Sequence, residues 1–398
     1  MKILKFALVV FIFFQLATSC KNKSKAIQND WVRDYSPTVQ IDELSKRVSE
    51  TSGLIFFRDA VWTLNDSGGE PSIYRLDTLD GSVNQEIRLA GVHNVDFEDI
   101  TQDEQFIFIG DIGNNFGNRK DLCIYKIAKK DIPTAGNKTV SAEKIQYNYA
   151  DQHNFIIRPR MNNFDCEALI SVKERLYLFT KNWDDAKTRV YSLPKEAGNY
   201  SLQVVSEFPA DGLITGGDYD SITGTLSLVG YQDFMPFVWV FWDFEGDQFF
   251  SGKKGRMNLE KIHGAQTEGI CFNLQGDALI SCEQSYYPQR LYRIPAVDLR
   301  KPEASFKEGN QHDIIEISSE YNKKKDRIDI EIKGLNEGLF TIEILNEIWQ
   351  LEEKFTFEST ANAKEHLTLD AKKFESGLYY LRVEQNESPK ASRVYINK

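Results

Sequence analysis

Carboxylates recur two residues apart inside otherwise apolar, β-branched stretches of this 398-residue chain: Asp96 and Glu98 in "VDFEDI", Asp165 and Glu167 in "DCEAL", Asp218 and Asp220 in "DYDSI". Residues i and i+2 of a strand share a face, so each pair points the same way. Glu268 of "QTEGI" and Ser52 of "ETSGL" complete a five-fold series. The third positions, Ser52, Glu98, Glu167, Asp220 and Glu268, are spaced 46, 69, 53 and 48 residues apart. Carboxylates gathered at one place repel, and a bound cation relieves that repulsion. Oxygen ligands from Asp, Glu and Asn suit a hard ion, so a divalent cation is expected, Ca²⁺ favoured. Its expected ligands are Glu98, Glu167, Asp220 and Glu268, with Asp96, Asp165 and Asp218 near the mouth of the site. The alternative is a hydrated channel whose acids bind backbone amides of neighbouring strands.

Elements that could position such a series repeat with it. After each motif come short β-branched and aromatic runs divided by Gly, Asn and Asp turns, such as "VWTLNDSG" and "SIYRLD" after the first. Outer strands follow four of the motifs. Periods near 50 residues indicate propeller blades. The expected fold is all-β: a five-bladed β-propeller followed by a small antiparallel β-sandwich. Residues 38–44, "TVQIDEL", supply the outer strand that the fifth blade lacks. A sixth blade in the 69-residue interval is the alternative to reading "DQHNFIIRPRMNN" there as an insertion.

In a propeller the first strand of each blade lines the central channel, and the second strand ends beside the start of the first. One face of the ring then gathers Asn65, Asp66, Asp111, Asn114, Asn115, Lys181, Asn182, Gln232 and Glu283 as a ligand-binding surface. His93 and His263 each stand five residues before a motif glutamate and are candidate bases. Ser67 in "NDSGG" lacks a matching histidine and acid context, so it is not read as a nucleophile, and no phosphate-binding glycine loop is present.

Composition limits the possibilities further. Aromatics are 12% and the net charge is −11, which disfavours nucleic acid as a partner because phosphates call for a basic face. "MKILKFALVVFIFFQLATSC" has two lysines, an apolar run too short for a membrane span, and small residues before Cys20. It is similar to a bacterial lipobox, with Ala17 where leucine is usual. Residues 1–19 are therefore expected to be a signal peptide, Cys20 a lipidation site giving membrane attachment, and 20–37 a tether. The propeller is expected over 38–299, a polar linker over 300–313 and the sandwich over 314–398. Cys123, Cys166, Cys271 and Cys282 show no CxxC spacing, and small apolar filling is their expected role.

The set "SGL", "NDSGG", "DFEDI", "GDIGNN", "CEAL" and "TEGI" resembles exported bacterial propellers of the SdiA-regulated and phytase-esterase-like groups, over about residues 45–298. "EGI" is also similar to the gluconolactonase-type propellers, which hold a divalent metal in the channel. The ending "SGLYYLRVEQNESPKASRVYINK" resembles the type IX secretion sorting domains of Bacteroidetes, although "EYNKKKDRIDIEI" stands where that family opens with Tyr-Pro-Asn-Pro. These resemblances imply an exported, outer-membrane or surface lipoprotein whose propeller binds a small molecule, glycan or protein. The alternatives are a metal-assisted hydrolase of a phosphate or carboxylic ester or lactone, and a glycosidase using paired carboxylates.

Overall fold

The computed structural model describes residues 31–300, 316–345, 351–360, 363–385, 388–396 and 398. The signal sequence, Cys20 and nearly all of the 300–313 linker lie outside the described residues. Five sheets, each built on four antiparallel strands, form a ring whose first strands are Thr51–Phe56, Phe97–Gln102, Cys166–Val172, Leu213–Asp220 and Thr267–Phe272. Each first strand packs against the first strand of the next blade, and the fifth packs back on the first. The 69-residue interval is filled by an insertion at residues 151–163 that contributes no strand. The fifth blade takes its outer strand from Thr38–Ile41, which runs antiparallel to Arg290–Ile294 and closes the ring.

Three blades carry a fifth strand that sequence patterning missed. Trp31–Asp34 pairs with Lys253–Asn258 of blade 4, Lys138–Val140 with Val83–Leu89 of blade 1, and Gly198–Leu202 with Glu143–Tyr149 of blade 2. All three pair in parallel, and each immediately precedes the outer strand of the following blade. They cover sheet edges that would otherwise be open. Their length of three to five residues, without clear alternation, explains why they escape detection.

Between blades the core is apolar and aromatic. Phe179, Phe208, Trp239, Phe241 and Phe249 pack between blades 3 and 4, and Phe208 meets Trp239 edge-on at 4.9 Å. The four described cysteines are buried and unbridged, as filling residues would be.

Beyond the ring, strands from Glu316 to Ile396 form a three-stranded and a four-stranded antiparallel sheet around Ile328, Ile330, Phe340, Ile342 and Leu381. This sandwich touches the loops that follow the second strands of blades 4 and 5. Tyr286 donates to Glu343 Oε2 at 3.0 Å, and Leu345 packs with Phe234 and Tyr286.

Candidate metal centre

One irregularity is repeated in every blade. The pairing of first and second strands skips between Thr51 and Leu54, Phe97 and Asp99, Cys166 and Ala168, Ile214 and Gly216, and Thr267 and Ile270. A β-bulge leaves a residue unpaired and re-aims its side chain. The residues so placed are Ser52, Glu98, Glu167, Thr215 and Glu268. Three of the five are carboxylates, and they stand at the channel end that the second strands also reach.

This register corrects the expected ligand set. In blade 4 the bulge carries Thr215, not Asp220, because the strand begins at Leu213 and the "DYD" acids lie at its far end. Asp220 there accepts from Ile222 N at 2.9 Å and from the Thr223 hydroxyl, so it is a turn residue. Asp218 accepts from Phe272 N of blade 5 at 2.8 Å. Neither joins the other acids. A signal for the right alignment was present: Ser52, Thr215 and Glu268 are each followed by glycine, as the close approach of neighbouring strands requires. A Cβ on Gly216 would collide with Glu268 O, and one on Gly269 with Ser52 O.

Of the other expected ligands, Glu98, Glu167, Asp96 and Asp165 converge with Asp66 in two overlapping groups, and Glu268 stands in neither. Asp66, Asp96 and Glu98 have oxygens within 4.8 Å of one another, and so do Glu98, Asp165 and Glu167. Glu98 belongs to both; it is 4% exposed, and its Oε1 is buried without a hydrogen-bond partner. A side chain on Gly113 would collide with that oxygen and with Asp96 Oδ2, so glycine keeps the space open.

Burial, then the neighbouring charges of Asp66 and Glu167, pushes Glu98 far above the usual carboxylate range. The same causes, with Asp66 and Asp165 as neighbours, push Asp96 to about 7. Asp66 rises to about 6 by burial, against the opposing hydrogen bond from Ser67 N. Glu268 and Glu283 are raised by burial first and by the same cluster.

Lys181 is the buried cation of the cluster. Its Nζ donates to Glu167 Oε2 at 2.6 Å and lies 4.9 Å from the Trp183 ring centroid and 5.3 Å from that of Tyr231. Burial alone would lower its pKa; Glu167, Tyr231, Glu268 and Asp165 outweigh that and hold it charged. Asp165 is already satisfied, accepting from Asn114 N at 2.6 Å and Trp183 Nε1 at 2.7 Å.

Other expected surface residues serve as struts. Asp111 is paired with Arg119 at 2.8 Å, and Asn65 donates to Arg47 O. Asn182 is tied to Thr180 and Asp185, while Gln232 accepts from Arg256. Asn115 O anchors the insertion by accepting from Arg160 N at 2.9 Å. His93 is exposed along the Gly68–Pro71 loop, and His263 is buried at the end of a 3-10 turn. Trp183, Tyr231 and Gly113 were missed because none is an acid, amide or base. Asp99, one residue past the bulge, turns inward: its carboxylate accepts from Leu169 N at 2.8 Å and Gly217 N at 3.3 Å, and blade 1 meets it with Gly53.

No family model and no curated protein matches the sequence. Solved structures with a similar arrangement include PorZ, a bacterial surface component of the type IX secretion system of Porphyromonas gingivalis, at 11% identity and TM-score 0.30 over 87% of this chain and 45% of that one. The chain thus spans less than half of the PorZ chain. Regucalcin, a calcium-binding protein of Agrobacterium tumefaciens, matches at 11% identity and TM-score 0.35 over 66% of this chain and 95% of that one. A gluconolactonase of Xanthomonas campestris matches at 11% and 0.35 over 73% and 84%. Among the described residues, no helix is long and apolar enough to cross a membrane.

Proposed function

We propose that the propeller is a cation-dependent binding module whose acidic mouth holds a divalent ion, Ca²⁺ favoured. The observation that carries this reading is Glu98 Oε1, a buried carboxylate oxygen without a partner at the meeting point of two acid groups. A buried charged group without a partner is costly, and an ion supplies the missing one. Oxygen-only donors match Ca²⁺ or Mg²⁺, and Ca²⁺ tolerates the irregular set better. A ligand reaching this mouth would complete the coordination of the ion and meet Asp66 and Asp96 at its rim. The chain would be exported and held on the envelope by a lipid on Cys20, a reading tested by Cys20→Ser, which should move the protein from the membrane to the soluble fraction.

A metal-assisted hydrolase is the second reading. It is favoured by Asp96, a half-buried carboxyl pushed to about 7 beside the proposed ion, where it could serve as a base. The glycosidase reading has less support: more than two acids meet here, with oxygens within 4.8 Å of one another, closer than the roughly 5–5.5 Å of retaining and 6.5–9.5 Å of inverting pairs. The deciding experiment is thermal unfolding with chelator and with added Ca²⁺, beside a screen against phosphate esters, carboxylic esters and lactones. Stabilisation by Ca²⁺ without turnover supports the binding module. A melting temperature indifferent to both, with Glu98→Gln at least as stable as the parent in the presence of Ca²⁺, would overturn the cation.

A further inference from the structure

The two acid groups are alike in composition and differ in occupancy. In the Glu98–Asp165–Glu167 group nearly every other oxygen is engaged: Asp165 accepts from Asn114 and Trp183, and Glu167 from Lys181. In the Asp66–Asp96–Glu98 group, by contrast, the Asp66 carboxylate accepts from Ser67 N. Among the described residues no donor is assigned to the Asp96 carboxylate, and Glu98 Oε1 is unpartnered. We propose that the mouth is built as two cation seats sharing Glu98, that the Lys181 ammonium permanently occupies one, and that the other takes a single divalent ion. This rests on the cation-binding reading above and deepens it by fixing the number of ions and where they go.

Geometry supports both halves. Oxygens that share one Ca²⁺ at about 2.3–2.6 Å can stand at most ~5.2 Å apart, and each group keeps its oxygens within 4.8 Å. The ammonium is a compact cation on a flexible stem. Here the stem is fixed, because Nζ stands over both the Trp183 and the Tyr231 ring while it donates to Glu167. Trp183 couples the parts, since its indole N–H also holds Asp165. A divalent ion in the group that holds Glu167 would meet the ammonium at close range, so the lysine restricts the mouth to one. The open seat lies between blades 1 and 2, where Asp66 and Gly113 border it.

The test counts Ca²⁺ ions on the full chain by equilibrium dialysis and calorimetry. The parent should bind one. Lys181→Gln vacates the second seat and should bind two, with a melting temperature that falls in chelator and recovers in Ca²⁺. Lys181→Arg keeps a cation in place and should remain at one. If Lys181→Gln does not fold without metal, the charge-matched Glu167→Gln/Lys181→Gln variant should fold and bind one. Asp66→Asn should weaken the single parental ion at least tenfold. A parent that binds two ions, or a Lys181→Gln protein that still binds one, overturns the two-seat arrangement while leaving a cation-binding mouth. A parent that binds none overturns the cation-binding reading itself, and the seats with it.

Discussion

The two ends of the propeller channel use the same residue types for different purposes. At the far end, Asp218 and Asp220 accept backbone amides, and Asp103 receives Lys195 at 2.9 Å and Phe106 N at 2.8 Å. A cavity of about 890 Å³ opens there between hairpin tips, with Phe57, Phe106 and Lys129 on its wall. At the near end, Asp96 is half-buried and Glu98 fully buried, yet among the described residues no such donor is assigned to either carboxylate. A carboxylate whose two oxygens both receive donors is part of the framework; one buried with an oxygen left over is available to a ligand. Acid counts alone do not separate the two ends, whereas hydrogen-bond partners do.

The largest effect that tests this contrast is expected at Asp99. Asp99→Ala strands the Leu169 and Gly217 amides in a dry interior, at about 1–3 kcal/mol for each unsatisfied group. Chemical denaturation should show a loss of several kcal/mol that Ca²⁺ does not repair, whereas Glu98→Gln in chelator should leave stability unchanged or higher. Equal losses in the two variants would erase the distinction between framework and site.

Next in size is the ion itself. At a hundredfold excess over Kd, Ca²⁺ should add about 2.7 kcal/mol, read as a higher melting temperature. Asp218→Asn should keep that response, and Asp96→Asn should lose most of it.

The pH dependence follows from the raised carboxyls. Asp66 and Asp96, with folded values of about 6 and about 7, hold protons more tightly folded than unfolded. Their contribution is therefore complete below about pH 4 and is lost as pH rises toward 7. In chelator, the stability of the parent relative to Asp96→Asn should fall across that window, while Ca²⁺ affinity should rise across it as the ion displaces protons. A relative stability that climbs instead would mean that Asp96 is ionised and paired.

The smallest change expected is at Gly113. Gly113→Ala places a methyl group against Glu98 and Asp96 side-chain ends that can yield, so the melting temperature in chelator should hold while Ca²⁺ binds about tenfold more weakly, ~1.4 kcal/mol. Unchanged affinity would place the ion elsewhere.

Much of the ring was legible because it repeats. Five inner strands, their partners and the closing strand at residues 38–41 follow from alternation and spacing. The site was legible only in part. Glu98, Glu167 and Glu268 could be aligned because each follows the start of its strand, but blade 4 offered an acid-x-acid pattern five residues downstream of the true register. The inner strands are buried on both faces, so the phase shift that a bulge imposes leaves no trace in their hydrophobic pattern. Lys181 could be placed on the right face, but its role depends on Trp183 and Tyr231, two aromatic residues from different blades that no local pattern joins.

The paired strands at the start of the described chain have a mechanical consequence. Trp31–Asp34 lies parallel along the outer edge of blade 4, with Trp31 flat on Gly255 and near Trp242, and Thr38–Ile41 follows directly onto blade 5. A pull on residue 31 along the strand axis loads four residues of the ladder together in shear instead of peeling them one at a time. Only after that ladder slips does the load reach the strand that closes the ring. Resistance to such a load is governed by the rate of unfolding, not by equilibrium stability, so the clasp on blade 4 would shield the blades that line the acidic mouth from a pull applied at residue 31.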